Sequence, residues 1–212
     1  MLKTIFNKYT CDKGEIKHHY YLLYEKDFES IRFKEINILE TGVYKGASLQ
    51  SWLDYFPNAQ IFVIDIFDRV SVKSLNNILD DSRVKYLEHD STDCSIKDKI
   101  SSWQVNFDII IDDGLHTPLA NLSTFKNLIP FLKNTGAYYI EDVFPVHIMT
   151  EKEMNFKWMK KEENKKNWSM HNMLTLLDGI KGYQIDYFDN RKITKHQDSF
   201  VIKLKHPISY EE

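Results

Sequence analysis

Five short apolar runs recur between residues 36 and 141 with a segment of helical spacing between each pair, and no other property of the chain restricts its fold as much. The runs cover residues 36–40, 61–65, 84–88, 107–112 and 137–141; the helical segments cover 47–56, 72–79, 95–103 and 119–132. Strand and helix in alternation, joined by short connections, specify a parallel sheet with helices on both faces. Runs without regular polar alternation suit strands covered on both sides. Two more strand windows, 183–187 and 200–204, follow a long helical region at 152–180 and are expected to form an antiparallel pair at one end. The predicted fold is α/β: a Rossmann-like, doubly wound, seven-stranded and mostly parallel sheet with an antiparallel C-terminal strand pair. Thr117 and Pro118 read as the cap and first turn of a helix, and Gly136 as the end of the connection that follows it.

A length of 212 residues suits one well-buried domain better than two. We expect a single domain over 1–212, with a helical cap segment at 1–34, whose residues 17–31 lie across the sheet edge, and a catalytic core at 35–212. Hydrophobic content of 42% with 14% aromatics is globular. No window is long enough to span a bilayer, and residues 1–10 lack the apolar core of a secretory signal, so a cytoplasmic location and no membrane partner are expected. Cys11 and Cys94 lie in no metal-ligand series and read as free thiols. Net charge of −3, with no Asn/Asp-Pro-Pro-aromatic motif, argues against a nucleic-acid partner. The Lys-rich run 157–166 carries interleaved glutamates and reads as a solvated helix face or loop. His18 and His19 read as surface or cap residues.

Open sheets of this kind bind ligands beyond the carboxyl ends of their strands. Glu40-Thr41-Gly42-Val43-Tyr44-Lys45-Gly46 follows the first run and opens a helix, and two of the chain's seven glycines fall in this turn. Glycine there permits positive φ and close approach of a ligand, while the helix start offers free N–H groups. Asp65 ends the second run, 23 residues after Gly42, where a carboxylate can accept both hydroxyls of a ribose. Asp90, after the third run, is placed either to reach an adenine amino group or to cap a helix. The pattern is not Gly-x-Gly-x-x-Gly and no Gly-Lys-Ser/Thr occurs, so an adenosine ligand without phosphates, S-adenosyl-L-methionine (SAM), fits best. The expected cofactor-binding residues are Glu40, Gly42, Gly46, Ser48, Asp65, Asp90 and Asp112.

The fourth and fifth runs end in Asp112-Asp113-Gly114-Leu115-His116 and Glu141-Asp142. Carboxylates gathered at one sheet edge repel and desolvate one another unless a cation justifies the arrangement. Hard oxygen ligands suit Mg²⁺ or a similar divalent ion, which lowers the pKa of an acceptor hydroxyl. The expected metal ligands are Asp113, Glu141 and Asp142; the expected catalytic residues are Asp113 and His116, with His116 as general base.

These residues resemble the metal-dependent, SAM-dependent O-methyltransferases that act on macrolide-linked sugars, the mycinamicin and demethylmacrocin type. The likeness runs over Leu39-Glu40-Thr41-Gly42-Val43, Ser48-Leu49-x-x-Trp52, Tyr55-Phe56-Pro57, Asp65-Ile66-Phe67-Asp68, Ile111-Asp112-Asp113-Gly114-x-His116 and Ile140-Glu141-Asp142. It implies that Asp113, Glu141 and Asp142 bind the metal and that His116 is the base. The 28 residues between Asp113 and Glu141 also match the metal-dependent catechol methyltransferases. Asp12-Lys13-Gly14, His18-x-Tyr20 and Tyr24-Glu25 resemble a segment that helps cap the active site in the sugar enzymes. Thr41, Lys45 and Leu115 depart from the smaller residues usual at their positions.

The expected function is a Mg²⁺-assisted O-methyltransferase acting on a sugar or other vicinal-diol hydroxyl, its partner a small-molecule or glycan acceptor, with a homo-oligomer open. Two alternatives stand beside it: a metal-independent small-molecule N- or O-methyltransferase, and a non-catalytic SAM-binding regulatory module.

Overall fold

Seven strands form in the computed structural model, which describes residues 1–207: β1 (Asn37–Thr41), β2 (Gln60–Asp65), β3 (Val84–Glu88), β4 (Phe107–Asp112), β5 (Leu132–Ile140), β6 (Gln184–Asp189) and β7 (Phe200–Lys205). They make one sheet in the order β3-β2-β1-β4-β5-β7-β6. β1 to β5 pair in parallel, and β7 lies antiparallel between β5 and β6. This is the expected seven-stranded, mostly parallel sheet with an antiparallel C-terminal strand pair.

The helices are α1 (Leu2–Lys8), α2 (Tyr21–Phe28), α3 (Ala47–Tyr55), α4 (Asn76–Leu79), α5 (Ile96–Ser101), α6 (Pro118–Leu128), α7 (Glu151–Met154), α8 (Glu162–Asn167), α9 (Met170–Ile180) and α10 (Arg191–Thr194). Successive strand residues point to opposite faces, and the two faces feed two separate cores. Leu39, Ile64, Ile110 and Tyr138 pack with α5, α6 and α9. Ile38, Val63, Ile111 and Tyr139 pack with α1, α2 and α3. The second core is aromatic: Trp52 of α3 meets Phe6, Tyr24 and Phe28 at ring separations of 5.2, 5.5 and 6.0 Å. Trp52 is fully buried, and truncating such a residue to alanine costs about 3–5 kcal/mol. Residues 2–28 thus complete one face of the sheet and bring the chain around to its carboxyl edge.

The details depart from the sequence expectations in four places. β3 is an edge strand in which Lys85, Tyr86 and Glu88 are exposed and only Val84 is fully buried, so it is not covered on both faces as the run suggested. The helix expected to reach residue 132 ends at Leu128, because Pro130 has no N–H to continue it; a 3₁₀ turn over Ile129–Phe131 leads directly into β5. Gly136 therefore lies inside β5 rather than before it, beside a register shift between Phe107 and Ile109, where an added Cβ would sit 2.9 Å from the Asp108 carbonyl oxygen. The long helical region breaks into α7, α8 and α9, since Phe156, Trp158 and Trp168 fold back against Phe144. Thr117 caps α6 by accepting from the Ala120 N–H, as expected. Cys11 and Cys94 are free. Among the described residues no helix is long and apolar enough to cross a membrane.

Candidate active site

The order β2-β1-β4-β5 places four strand ends side by side, and backbone hydrogen bonds continue past them. Gly42 N–H donates to Ile64 O at 2.9 Å, Asp113 N–H to Thr41 O at 3.1 Å, and Glu141 N–H to Asp112 O at 3.0 Å. Gly42 has φ of +85°, and a Cβ there would stand 2.1 Å from the Asp113 carbonyl oxygen. The absence of a side chain at Gly42 admits the neighbouring loop, which holds Asp113 against the first turn. Gly46, with φ of +75°, opens α3.

The carboxylates of the expected cofactor set are engaged within the protein. Glu40 accepts from Ser48 Oγ at 2.8 Å and Trp52 Nε1 at 3.1 Å, and burial pushes it up to about 7. Asp112 accepts from Thr41 Oγ1 and from Asn121 Nδ2, both at 3.1 Å, and burial pushes it up to about 6. Asp65 collects the amides of Val43 at 2.5 Å, Tyr44 at 3.3 Å and Phe67 at 2.6 Å, ordering the glycine turn from its lip. Asp90 accepts from the backbone N–H and the hydroxyl of Thr92 within a local turn, and Ser95 rather than Asp90 stands at the start of α5. Two open concavities, about 550 and 610 Å³, lie elsewhere: one against Glu35, Asn58 and Arg83, the other against Lys152, Met159 and Trp168.

Of the expected metal and catalytic residues, Asp113, His116 and Asp142 converge, each offering one ligand atom within 4.8 Å of the others. His116 Nε2 is 3.8 Å from Asp113 Oδ1, and its Nδ1 is buried without a partner among the described residues. Burial pushes Asp113 up, with the Lys13 ammonium opposing it. Burial also works against the Asp142 carboxylate, but His18, then His116 and Lys17, outweigh it and hold its pKa below the usual range. Asp142 adopts φ of +54°, a left-handed conformation that aspartate tolerates and that recurs at functional sites.

Glu141 is absent from this cluster. Tyr139 and Glu141 continue the strand alternation toward α2, so Glu141 turns into the aromatic core, where Tyr24 donates to one oxygen and Lys13 to the other. Lys13 is the buried charged residue at the site that the predicted set does not include. Its side chain is 1% exposed, with Nζ 2.5 Å from Asp113 Oδ2 and 3.8 Å from Glu40 Oε1. Burial would strip its proton, but Asp113, Glu141 and Glu40 hold its pKa well above the ordinary value. The only signal for it lay in the resemblance of Asp12-Lys13-Gly14 to a capping segment. His18, expected at the surface, is also buried: Nε2 lies 3.2 Å from Asp142 Oδ2, and Nδ1 lies 2.8 Å from Ser199 Oγ. Tyr20 donates to Asp142 Oδ1 at 2.9 Å.

No protein-family model matches the chain. It is 31% identical over 147 residues to 8-demethyl-8-(2-methoxy-alpha-L-rhamnosyl)-tetracenomycin-C 3'-O-methyltransferase of Streptomyces olivaceus, which covers 66% of this chain and 36% of that protein. It is 31% identical over 153 residues to mycinamicin VI 2''-O-methyltransferase of Micromonospora griseorubida, covering 69% and 37%. The chain is a homologue of these O-methyltransferases. It spans little more than a third of their length. Among solved structures, MycE methyltransferase from the mycinamycin biosynthetic pathway, in complex with Mg and SAH, superposes with a TM-score of 0.69 at 24% identity, covering 99% of this chain and 55% of that one. That likeness establishes the shared fold.

Proposed function

We propose that this chain carries the catalytic domain of a SAM-dependent, Mg²⁺-assisted O-methyltransferase whose acceptor is a sugar or another vicinal diol. The observation that carries the proposal is the convergence of Asp113, His116 and Asp142 to within 4.8 Å at the ends of β4 and β5, beside the Gly42 turn, in a homologue of enzymes named for O-methylation. The two carboxylates, one of them held anionic, suit a divalent ion as hard oxygen donors, and the His116 imidazole stands beside them outside that donor pair. Such an ion would polarise an acceptor hydroxyl and lower its pKa.

The chain's own residues do the rest. Asp113 and Asp142 hold the cation side of the site, and His116, more than a third exposed, is open to the acceptor and takes the hydroxyl proton. The donor lies over the ends of β1 and β2, where Asp65 and the Gly42 turn order the backbone. Methyl transfer is an in-line displacement that needs alignment above all. On this reading the acceptor is a small molecule or glycan rather than a nucleic acid, and the reaction is cytoplasmic.

The test is mass spectrometry of glycosides, nucleotide sugars and catechols incubated with protein and SAM, with and without chelator, alongside calorimetry of SAM binding. Chelator-sensitive gain of a methyl group is expected. Full transfer in excess chelator would instead establish the metal-independent enzyme, and SAM binding without transfer the regulatory module.

A further inference from the structure

Between residues 151 and 166 six lysines stand against four glutamates, in a chain whose net charge is −3. β6 runs parallel to β5, because each is antiparallel to β7, so α9 sets out from the carboxyl edge of the sheet and residues 143–169 stay on that edge. Phe144, two residues beyond Asp142, meets Trp168 edge to face at 5.1 Å. Trp168, with Met154 and Met159, also walls the cavity of about 610 Å³, and Lys152, Lys160 and Lys165 enter its lining. The cavity is thus separate from the Asp113, His116 and Asp142 cluster but opens on the same edge, one aromatic contact from the segment that carries Asp142.

Charge in this cavity is unbalanced. Lys165 pairs with Glu162 at 2.9 Å, and Glu153 is engaged by Thr150 in a capping box. Among the described residues Lys152 and Lys160 have no ion-pair partner, and Glu151 is the one carboxylate in the lining. Two free ammoniums beside an apolar wall suit a ligand that is anionic at one end and apolar on one face. Lysine binds phosphate as a mobile point charge; a neutral glycoside would leave both ammoniums unused. We infer that this cavity holds the phosphate of a phosphorylated glycosyl acceptor, the class of sugar phosphates and nucleotide sugars, with Lys152 and Lys160 as the residues that select it. The acceptor role rests on the function proposed above; the anion site does not.

The experiment titrates the intact chain with UDP-glucose, glucose 1-phosphate, inorganic phosphate and neutral methyl glucoside, read by calorimetry and tryptophan fluorescence. It is repeated on a double variant, Lys152→Gln with Lys160→Gln, and on the control Lys99→Gln, whose exposed side chain lies on α5; thermal unfolding confirms that each folds. UDP-glucose is expected to bind about tenfold or more tightly than methyl glucoside and to weaken about tenfold in the double variant, as two partly exposed charge contacts allow. Methyl glucoside binding and the control should not change. Added salt should weaken UDP-glucose binding in the unaltered chain more than in the double variant. Glucose 1-phosphate matching UDP-glucose assigns the site to sugar phosphates, and weaker binding assigns it to nucleotide sugars.

Unchanged UDP-glucose affinity in the double variant overturns the inference. So does inorganic phosphate binding as tightly as UDP-glucose, since no sugar would then be held. Tighter lysine-dependent binding of an RNA oligonucleotide or of phosphatidylglycerol vesicles overturns it by making the segment a polyanion surface. In methyl transfer to UDP-glucose the double variant should raise KM and leave kcat nearly unchanged. If UDP-glucose binds through the lysines while no sugar is methylated, the proposed function falls and the anion site stands. Chelator-sensitive methylation of neutral glycosides, with no lysine-dependent binding, sinks this inference and leaves the proposed function intact.

Discussion

Replacing Gly42 by alanine joins the fold to the site in one measurement. Gly42 has φ of +85°, and the new Cβ would lie 2.1 Å from the Asp113 carbonyl oxygen and 2.8 Å from its carbon. The left-handed backbone costs an L-residue about 1–2 kcal/mol. Contacts below about 3 Å are not sustained, so the Asp113 loop must retreat by roughly 1 Å, a further ~1–3 kcal/mol of overpacking. The total, about 2–5 kcal/mol, corresponds to a fall of roughly 4–20 °C in unfolding temperature for a chain of this size. Because the retreating atom belongs to Asp113, a displacement near 1 Å is also expected to reduce turnover about a hundredfold. Thermal unfolding by circular dichroism reads the first effect and methyl transfer the second. Gly182→Ala serves as control: nothing stands within 4 Å of its Cβ position, and it should leave both readings unchanged. An unfolding temperature for Gly42→Ala equal to that of the control would refute the close approach of the β1 and β4 loops.

Three further outcomes follow from the same geometry. Tyr24→Phe leaves one oxygen of the buried Glu141 without its donor and should cost about 1–3 kcal/mol in denaturant unfolding; no change would mean that bond is not formed in solution. Burial raises Glu40 from its ordinary 4.5 to about 7, so the folded chain takes up a proton there: this stabilisation is complete below about pH 4.5 and is lost as pH rises through 7. Denaturant unfolding of the unaltered chain should therefore lose up to ~3 kcal/mol more between pH 4.5 and 7.5 than that of Glu40→Gln, and equal pH slopes in the two would contradict it. His116→Ala should lower methyl transfer by about 10²–10⁴ while SAM affinity, read by calorimetry, stays within a few fold; equal loss of binding would reassign His116 to cofactor binding.

Local pattern alone was enough for the sheet. The runs at 84–88 and 107–112 are the strands found: the second is apolar because parallel neighbours and helices bury it, and the alternation of runs with helical segments places the first, more polar one at the sheet edge. The strand ends carrying Asp113, His116 and Asp142 were legible for the same reason: in a parallel sheet every strand's carboxyl end lies on one edge, so acidic residues that close successive runs must meet there. What the pattern could not decide was which way each side chain turns and what comes to meet it. Asp112 and Glu141 sit in the same acidic clusters as their neighbours but face the two cores, a difference of one residue in a two-residue period. Lys13, Tyr20 and Tyr24 lie a hundred residues or more from the carboxylates to which they donate. A lysine in sequence is a solvated cation by default; only the closure of α1 and α2 over the sheet desolvates this one and makes the buried carboxylates its partners.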